Sequence, residues 1–309
     1  MTNKQTLTTF VKVTFLGFLV YFCLQFLIPR WESLQLSDRL GTLSGPWIIA
    51  AAVFTAGYYV LGLLIWTMIL RNLGSQPDLH MTTRAYVFSL LPKYIPGNVA
   101  AHGLRTQLAT RAGAPVLVSM KSFLLEAIFA LATAAIIAIP GALYYYPAIM
   151  DRFSNWRLVA FALVLIAVVA ARRFKLNRVN EFRLTAPHRR PTCYVNVFSF
   201  YILLWFVSGV AHWCLANALG SYSASQLPQL MVAVSASWAL GFVSIFAPAG
   251  LGVREAVLYF FVHDWMDQAD AVLFVTLSRL LLFGIEVFLT VGLLLYSKLA
   301  PRAETAVTS

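Results

Sequence analysis

The sequence predicts an all-α polytopic membrane protein with six full transmembrane helices and two re-entrant broken-helix hairpins, inverted-repeat and transporter-like in layout. Three observations carry that expectation. Of the 309 residues, 60% are hydrophobic and only 11% are charged, against about 25% charged in a soluble domain. Six apolar runs have, or nearly have, the roughly 20 residues needed to cross the hydrocarbon core. Two further apolar stretches are interrupted by Pro and Gly, and the charges around them set the side on which each begins and ends.

The first run, residues 10–28, follows Lys4 and Lys12 as the core of a signal peptide would. It ends Ile28-Pro29-Arg30-Trp31 with no small-x-small cleavage site, so it reads as a retained span. Residues 46–70 form the second span. Residues 85–104 are apolar but broken by Pro92, Lys93, Pro96 and Gly97. Residues 116–139 are the third span; residues 157–171 are the fourth, short enough to need their flanks; residues 197–219 are the fifth. Residues 230–262 are broken by Pro248, Gly250 and Gly252, and residues 271–296 make the sixth span. Each break is expected near the middle of its stretch. Trp47, Trp66, Trp156 and Trp265 lie near expected span ends and fit an interfacial aromatic belt.

Charge sets the orientation. Residues 172–190 carry Arg172, Arg173, Lys175, Arg178, Arg183, Arg189 and Arg190 against Glu181 alone, which predicts a cytoplasmic loop, about 172–195. Residues 264–270 hold three acids and no base and belong outside. Lys4 and Lys12 place the N-terminus inside, and Lys298 with Arg302 place the C-terminus inside. Counting crossings then makes both interrupted stretches hairpins, the first from the cytoplasmic face and the second from the outer face. The chain becomes one transmembrane domain, 1–309, with inverted halves of about 1–140 and 155–298. The alternative is eight plain spans with Pro kinks.

The net charge of +11 falls in one loop and near helix ends, and no nucleic-acid-binding pattern accompanies it. The three cysteines, Cys23, Cys193 and Cys214, are far apart, with no C-x-x-C, and no histidine pair has metal-ligand spacing. No catalytic motif is present, so no catalytic residue, metal or cofactor is expected.

Ionisable groups in apolar runs cost about 2.5–3.5 kcal/mol at a helix centre and call for an explanation. Pro96-Gly97 should break a helix that restarts at Asn98, turning free N–H groups and a positive helix end toward the break. Lys93 and Arg105 add positive charge, with His102 nearby. This is either an anion site for a lipid phosphate or an interfacial loop whose bases reach lipid head groups. Pro248, Gly250 and Gly252 free the backbone again just before Arg254 and Glu255. In one reading Arg254 binds an anionic head group and Glu255 orients it or takes a proton. In the other, Glu255 caps its helix and pairs with a base elsewhere. Lys121 and Glu126 in the third span, and Arg279 and Glu286 in the sixth, either line a head-group path or form buried ion pairs, with Glu126–Arg279 a candidate pair.

Two motifs, Lys93-Tyr94-Ile95-Pro96-Gly97-Asn98-Val99 with Arg105, and Pro248-Ala249-Gly250-Leu251-Gly252-Val253-Arg254-Glu255-Ala256, resemble the signatures of the lysylphosphatidylglycerol synthase transmembrane (flippase-like) family. Residues 122–126 resemble its weaker third signature. The likeness covers nearly the whole chain. Ala249 stands where the family often has Gly, and Ala127 and Ala130 stand where the third signature often carries charges. The soluble aminoacyl-transferase domain of the full synthase is expected to be absent. The resemblance implies a flippase-like protein of a bacterial inner membrane that translocates or handles a lipid with an anionic or modified head group. Its expected partner is a phospholipid or a polyprenyl-phosphate-linked lipid, with an envelope-synthesis enzyme encoded separately as a candidate protein partner, and no nucleic acid. The alternative is a membrane-bound glycosyl or phospho-group transferase, or its non-catalytic subunit.

Overall fold

Apolar side chains repeated without a polar face leave a backbone in lipid no option but to satisfy its own hydrogen bonds, and helices do that within one segment. The computed structural model of the protein describes residues 36–94, 99–147, 192–244 and 247–299, and every regular element among them is helical. In chain order they are α1 (Leu36–Gly41), α2 (Gly45–Asn72), α3 (Leu79–Phe88), α4 (Val99–Arg111), α5 (Val116–Tyr145), α6 (Thr192–Leu219), α7 (Leu227–Val243), α8 (Val253–Val262) and α9 (Gln268–Leu299). Tight 3-10 turns cover Leu91–Tyr94, Ala224–Gln226 and Pro248–Gly250.

Five segments are long and apolar enough to cross a membrane: Gly45–Asn72, Val116–Tyr145, Tyr194–Leu219, Ala224–Val243 and Gln268–Lys298. Four of them contain the second, third, fifth and sixth expected spans. The first and fourth, with the basic loop 172–190, lie outside the described residues. The remaining segment, Ala224–Val243, departs from expectation. The Pro248–Gly252 breakers sit well past the middle, so 20 unbroken residues precede them and only the 10 of α8 follow. The two arms are therefore unequal, about 30 Å and 15 Å at 1.5 Å per residue.

Both interrupted stretches reverse direction. At the base of the first, the Asp78 N–H donates to the Ala112 carbonyl at 3.2 Å, so the start of α3 meets the end of α4. Asp78 also caps α3, its carboxylate accepting from the Met81 N–H at 2.8 Å. At the base of the second, Tyr222 before α7 and Trp265 after α8 meet edge to face at 5.7 Å. The turn Leu91–Tyr94 at the first tip packs against the turn Pro248–Gly250 at the second.

The long helices hold these hairpins. α2 lies along α6, α5 packs on α7, and α9 touches α2, α3, α6 and α8. Small residues let the backbones close: a Cβ added to Gly141 of α5 would sit 2.1 Å from Val232 of α7. Polar side chains then tie helix to helix, with Trp205 donating to Thr133 at 2.9 Å and Tyr146 to the Phe261 carbonyl at 2.7 Å. Trp66 is no belt residue. It is fully buried and its indole N–H donates to Ser122 at 3.0 Å, because its position on α2 faces α5 rather than lipid. Trp47 and Trp265 are only partly buried, and Trp156 lies outside the described residues.

Candidate functional site

Where the two hairpin tips meet, a cavity of about 260 Å³ opens between α2, α4, α5, α6, α7, α8 and α9. Its charges come from both hairpins and both flanking spans. Lys93 follows the helix-ending Pro92 in the first tip, and its ammonium pairs with Glu286 of α9. Glu286 is wholly buried, and the Tyr59 hydroxyl donates to the same carboxylate oxygen as Lys93. Arg105 comes from the α4 arm. Its guanidinium lies 4.7 Å from the ring centres of both Trp66 and Tyr86, donates to Ser89 at 3.1 Å and bonds Glu126 of α5 at 2.5 Å. Two aromatic faces and two hydrogen bonds thus hold one planar cation.

The second tip is built on positive-φ backbone. Ala249, Gly250 and Gly252 have φ of 52°, 71° and 83°. Gly250 and Gly252 reach that region without a Cβ penalty; Ala249 does not. The Gly252 N–H donates to the Glu255 carboxylate at 2.6 Å, closing the start of α8. The other Glu255 oxygen lies 2.6 Å from Arg279 Nε as a close ion pair without hydrogen-bond alignment. Arg279 also donates to the Ala249 carbonyl at 3.0 Å, so α9 grips the tip twice. The helix-capping and ion-pairing reading of Glu255 therefore describes its contacts.

Arg254 differs from the other bases. It lines the cavity and lies 5.8 Å over the Trp238 ring. Its Nε is buried with no hydrogen-bond partner, and it pairs with no carboxylate among the described residues. Two glycines make room for it. A Cβ on Gly241 would meet Arg254 Cγ at 2.3 Å, and one on Gly250 would meet its Nε at 2.8 Å.

The structure thus brings Lys93, Arg105, Glu126, Gly250, Arg254, Glu255, Arg279 and Glu286 to one cavity. Gly252 caps α8 at its edge, and Pro248 contributes backbone to the adjoining turn. Pro96, Gly97 and Asn98 lie outside the described residues. Lys121 is exposed, away from the cavity. The expected Glu126–Arg279 pair does not form, because α5 turns Glu126 to Arg105 on α4 while α9 turns Arg279 to Glu255 on α8. Among the described residues, four bases meet three acids in the lining, which leaves one positive charge. The cavity's hydroxyl and aromatic wall escaped a reading that followed formal charges. It includes Tyr58, Tyr59, Ser208, His212 and Trp238. The signal available for it was Ser208 and His212 four residues apart, on one face of an otherwise apolar span.

A family model described as the lysylphosphatidylglycerol synthase TM region matches residues 9–290. The chain belongs to this family. Comparison with curated proteins gives no match. Membership in the lysylphosphatidylglycerol synthase TM-region family, with five candidate spans, makes it a multi-pass helical membrane protein connected with lipid synthesis or handling. Lys93, Tyr94 and Arg105 on one side and Ala249, Gly250, Arg254 and Glu255 on the other line this one cavity.

Proposed function

We propose that the protein is a flippase-like inner-membrane protein that holds the anionic head group of a lipid in this cavity and moves it between leaflets during envelope lipid or glycan synthesis. The observation that carries the reading is Arg254. A guanidinium presents five donors and stays charged under all physiological conditions. Buried polar groups are rarely left without partners. Here the other three bases of the cavity are matched by carboxylates and Arg254 is not. A phosphate oxygen bound to its guanidinium would neutralise the excess charge.

In this reading the two hairpins are re-entrant from opposite faces and the halves of about 1–140 and 155–298 are inverted repeats, with both termini cytoplasmic. Hairpin bases that close on themselves are what such re-entry requires. Rocking of one half on the other would shift access to the site from one leaflet to the other. The test is lipid translocation in proteoliposomes, with Arg254→Ala and Arg254→Lys. Arg254→Ala is expected to lower translocation at least about tenfold, the loss of one charged hydrogen bond, with an unchanged melting profile in detergent. Wild-type translocation by Arg254→Ala overturns the assignment.

A further inference from the structure

We infer that Ser208 and His212 of α6 form a subsite for a hydroxyl of the head group, so that the site selects a phosphodiester bearing a polyol over one bearing no hydroxyl. The inference rests on the reading of Arg254 as the phosphate ligand. The two residues are one turn apart on one face of α6, both line the cavity, and they are 7% and 9% exposed. His212 Nδ1 lies 2.8 Å from the Ser208 carbonyl. A carbonyl only accepts, so Nδ1 carries the hydrogen and Nε2 of the neutral ring keeps a free lone pair. Phe274, edge-on at 6.0 Å, packs against the ring from α9.

Neither His212 Nε2 nor the Ser208 hydroxyl has a hydrogen-bond partner among the described residues. The Ser208 hydroxyl does not turn back onto its own helix, as several other helical hydroxyls of this protein do. Thr55, Thr67, Ser199, Thr276 and Thr290 each donate to the carbonyl one turn back. Neither atom of the Ser208–His212 pair is sealed off by the protein, so both are open to a ligand in the cavity. A free acceptor and a free hydroxyl donor, one turn apart at a cavity wall, match one chemical group: an alcohol that donates to Nε2 and accepts from Ser208 Oγ. The excess positive charge of the lining disfavours an ammonium there. Across the cavity, Ser237 of α7 donates to the Arg254 carbonyl at 2.8 Å, so the facing wall is tied to the helix that carries the phosphate ligand.

Binding of dioctanoyl phosphatidylglycerol, phosphatidylinositol and phosphatidylmethanol to the purified full chain in detergent, followed by native mass spectrometry, tests this. The three share one phosphodiester charge. They differ in carrying a glycerol, a cyclic polyol or no head-group hydroxyl. The wild type is expected to bind the better polyol lipid about tenfold more tightly than phosphatidylmethanol. Which polyol lipid leads tells a glycerol from a ring-shaped, sugar-like group. Ser208→Ala and His212→Leu should remove that preference and leave phosphatidylmethanol binding unchanged, and His212→Gln, which keeps an acceptor, should restore part of it. Equal binding of all three lipids by the wild type overturns the inference, as does a Ser208→Ala loss that is equal for all three. Arg254→Ala is the separate arm. Weakening of all three lipids alike supports the phosphate reading, and no weakening of any of them refutes that reading without touching the hydroxyl selectivity.

Discussion

Arg254 and the residues that make space for it set the chemistry of the cavity. Gly241 tests this from a distance. Alanine favours a helix interior over glycine by about 1 kcal/mol, so Gly241→Ala should strengthen α7. Its Cβ would nevertheless sit 2.3 Å from Arg254 Cγ and push the guanidinium from its place. The expected outcome is a protein that melts lower than wild type in detergent, because the clash outweighs the gain in helix propensity, and translocates lipid at least about tenfold more slowly. Unchanged transport would mean that Arg254 tolerates displacement. Ala249 bears on the same tip. It adopts φ 52°, a region that costs a residue with a Cβ about 1–2 kcal/mol. Part of that cost is offset by the smaller entropy Ala loses on folding. Ala249→Gly should therefore raise thermal stability by up to about 1 kcal/mol, read as a shift of the melting midpoint.

At the scale of elements, ion pairs hold the hairpins to the spans. α9 carries Arg279 and Glu286 seven residues apart on one face, and each reaches a different hairpin: Glu255 at the second tip and Lys93 at the first. α5 does the same for the α4 arm through Glu126 and Arg105. Removing one partner of a buried pair strands the other, at about 3–5 kcal/mol, whereas replacing both with apolar groups is often nearly neutral. Glu286→Gln and Lys93→Met should each lower the melting midpoint markedly, and the Glu286→Leu, Lys93→Met double variant should recover most of the loss. A double variant as unstable as the sum of the singles would show that the two side chains are not coupled.

At the scale of the whole molecule, the two hairpin bases lie at opposite membrane faces in the proposed topology. Arg111, at the end of α4, and Asp264, just past α8, are both exposed. In a cysteine-free background, Asp264→Cys should react with an impermeant thiol reagent added to intact cells, and Arg111→Cys only after permeabilisation. Labelling of both from one side would break the inverted-repeat reading. A cysteine within residues 172–190 should behave like Arg111→Cys.

Four of the expected spans and the two places where apolar stretches break were legible in the sequence, although the arms of the first break extend from Leu79 to Arg111, beyond the expected 85–104. Each rests on local physics: a run of apolar residues long enough to span lipid, or a Pro and Gly cluster that ends a helix. The charges at stake were legible too, since any ionisable group within such a run stands out. The pairing of those charges was not. Which carboxylate neutralises which base depends on the rotation and depth of each helix against its neighbours, and on Gly141 and Gly241 allowing close approach. That is why Glu126 meets Arg105 rather than Arg279, and why Trp66 lies inside instead of at the lipid surface. The uneven arms of the second hairpin arise because a 3-10 turn, Ala224–Gln226, runs straight into α7 and lengthens that arm ahead of its apolar run. The sequence by itself determined an all-helical membrane chain with two broken motifs rich in basic residues. Only the tertiary structure decided that Lys93 and Arg105 share one cavity with Arg254 and that, among the described residues, Arg254 is the base of that cavity left unmatched, because that balance is a property of helices packed together and of no single segment.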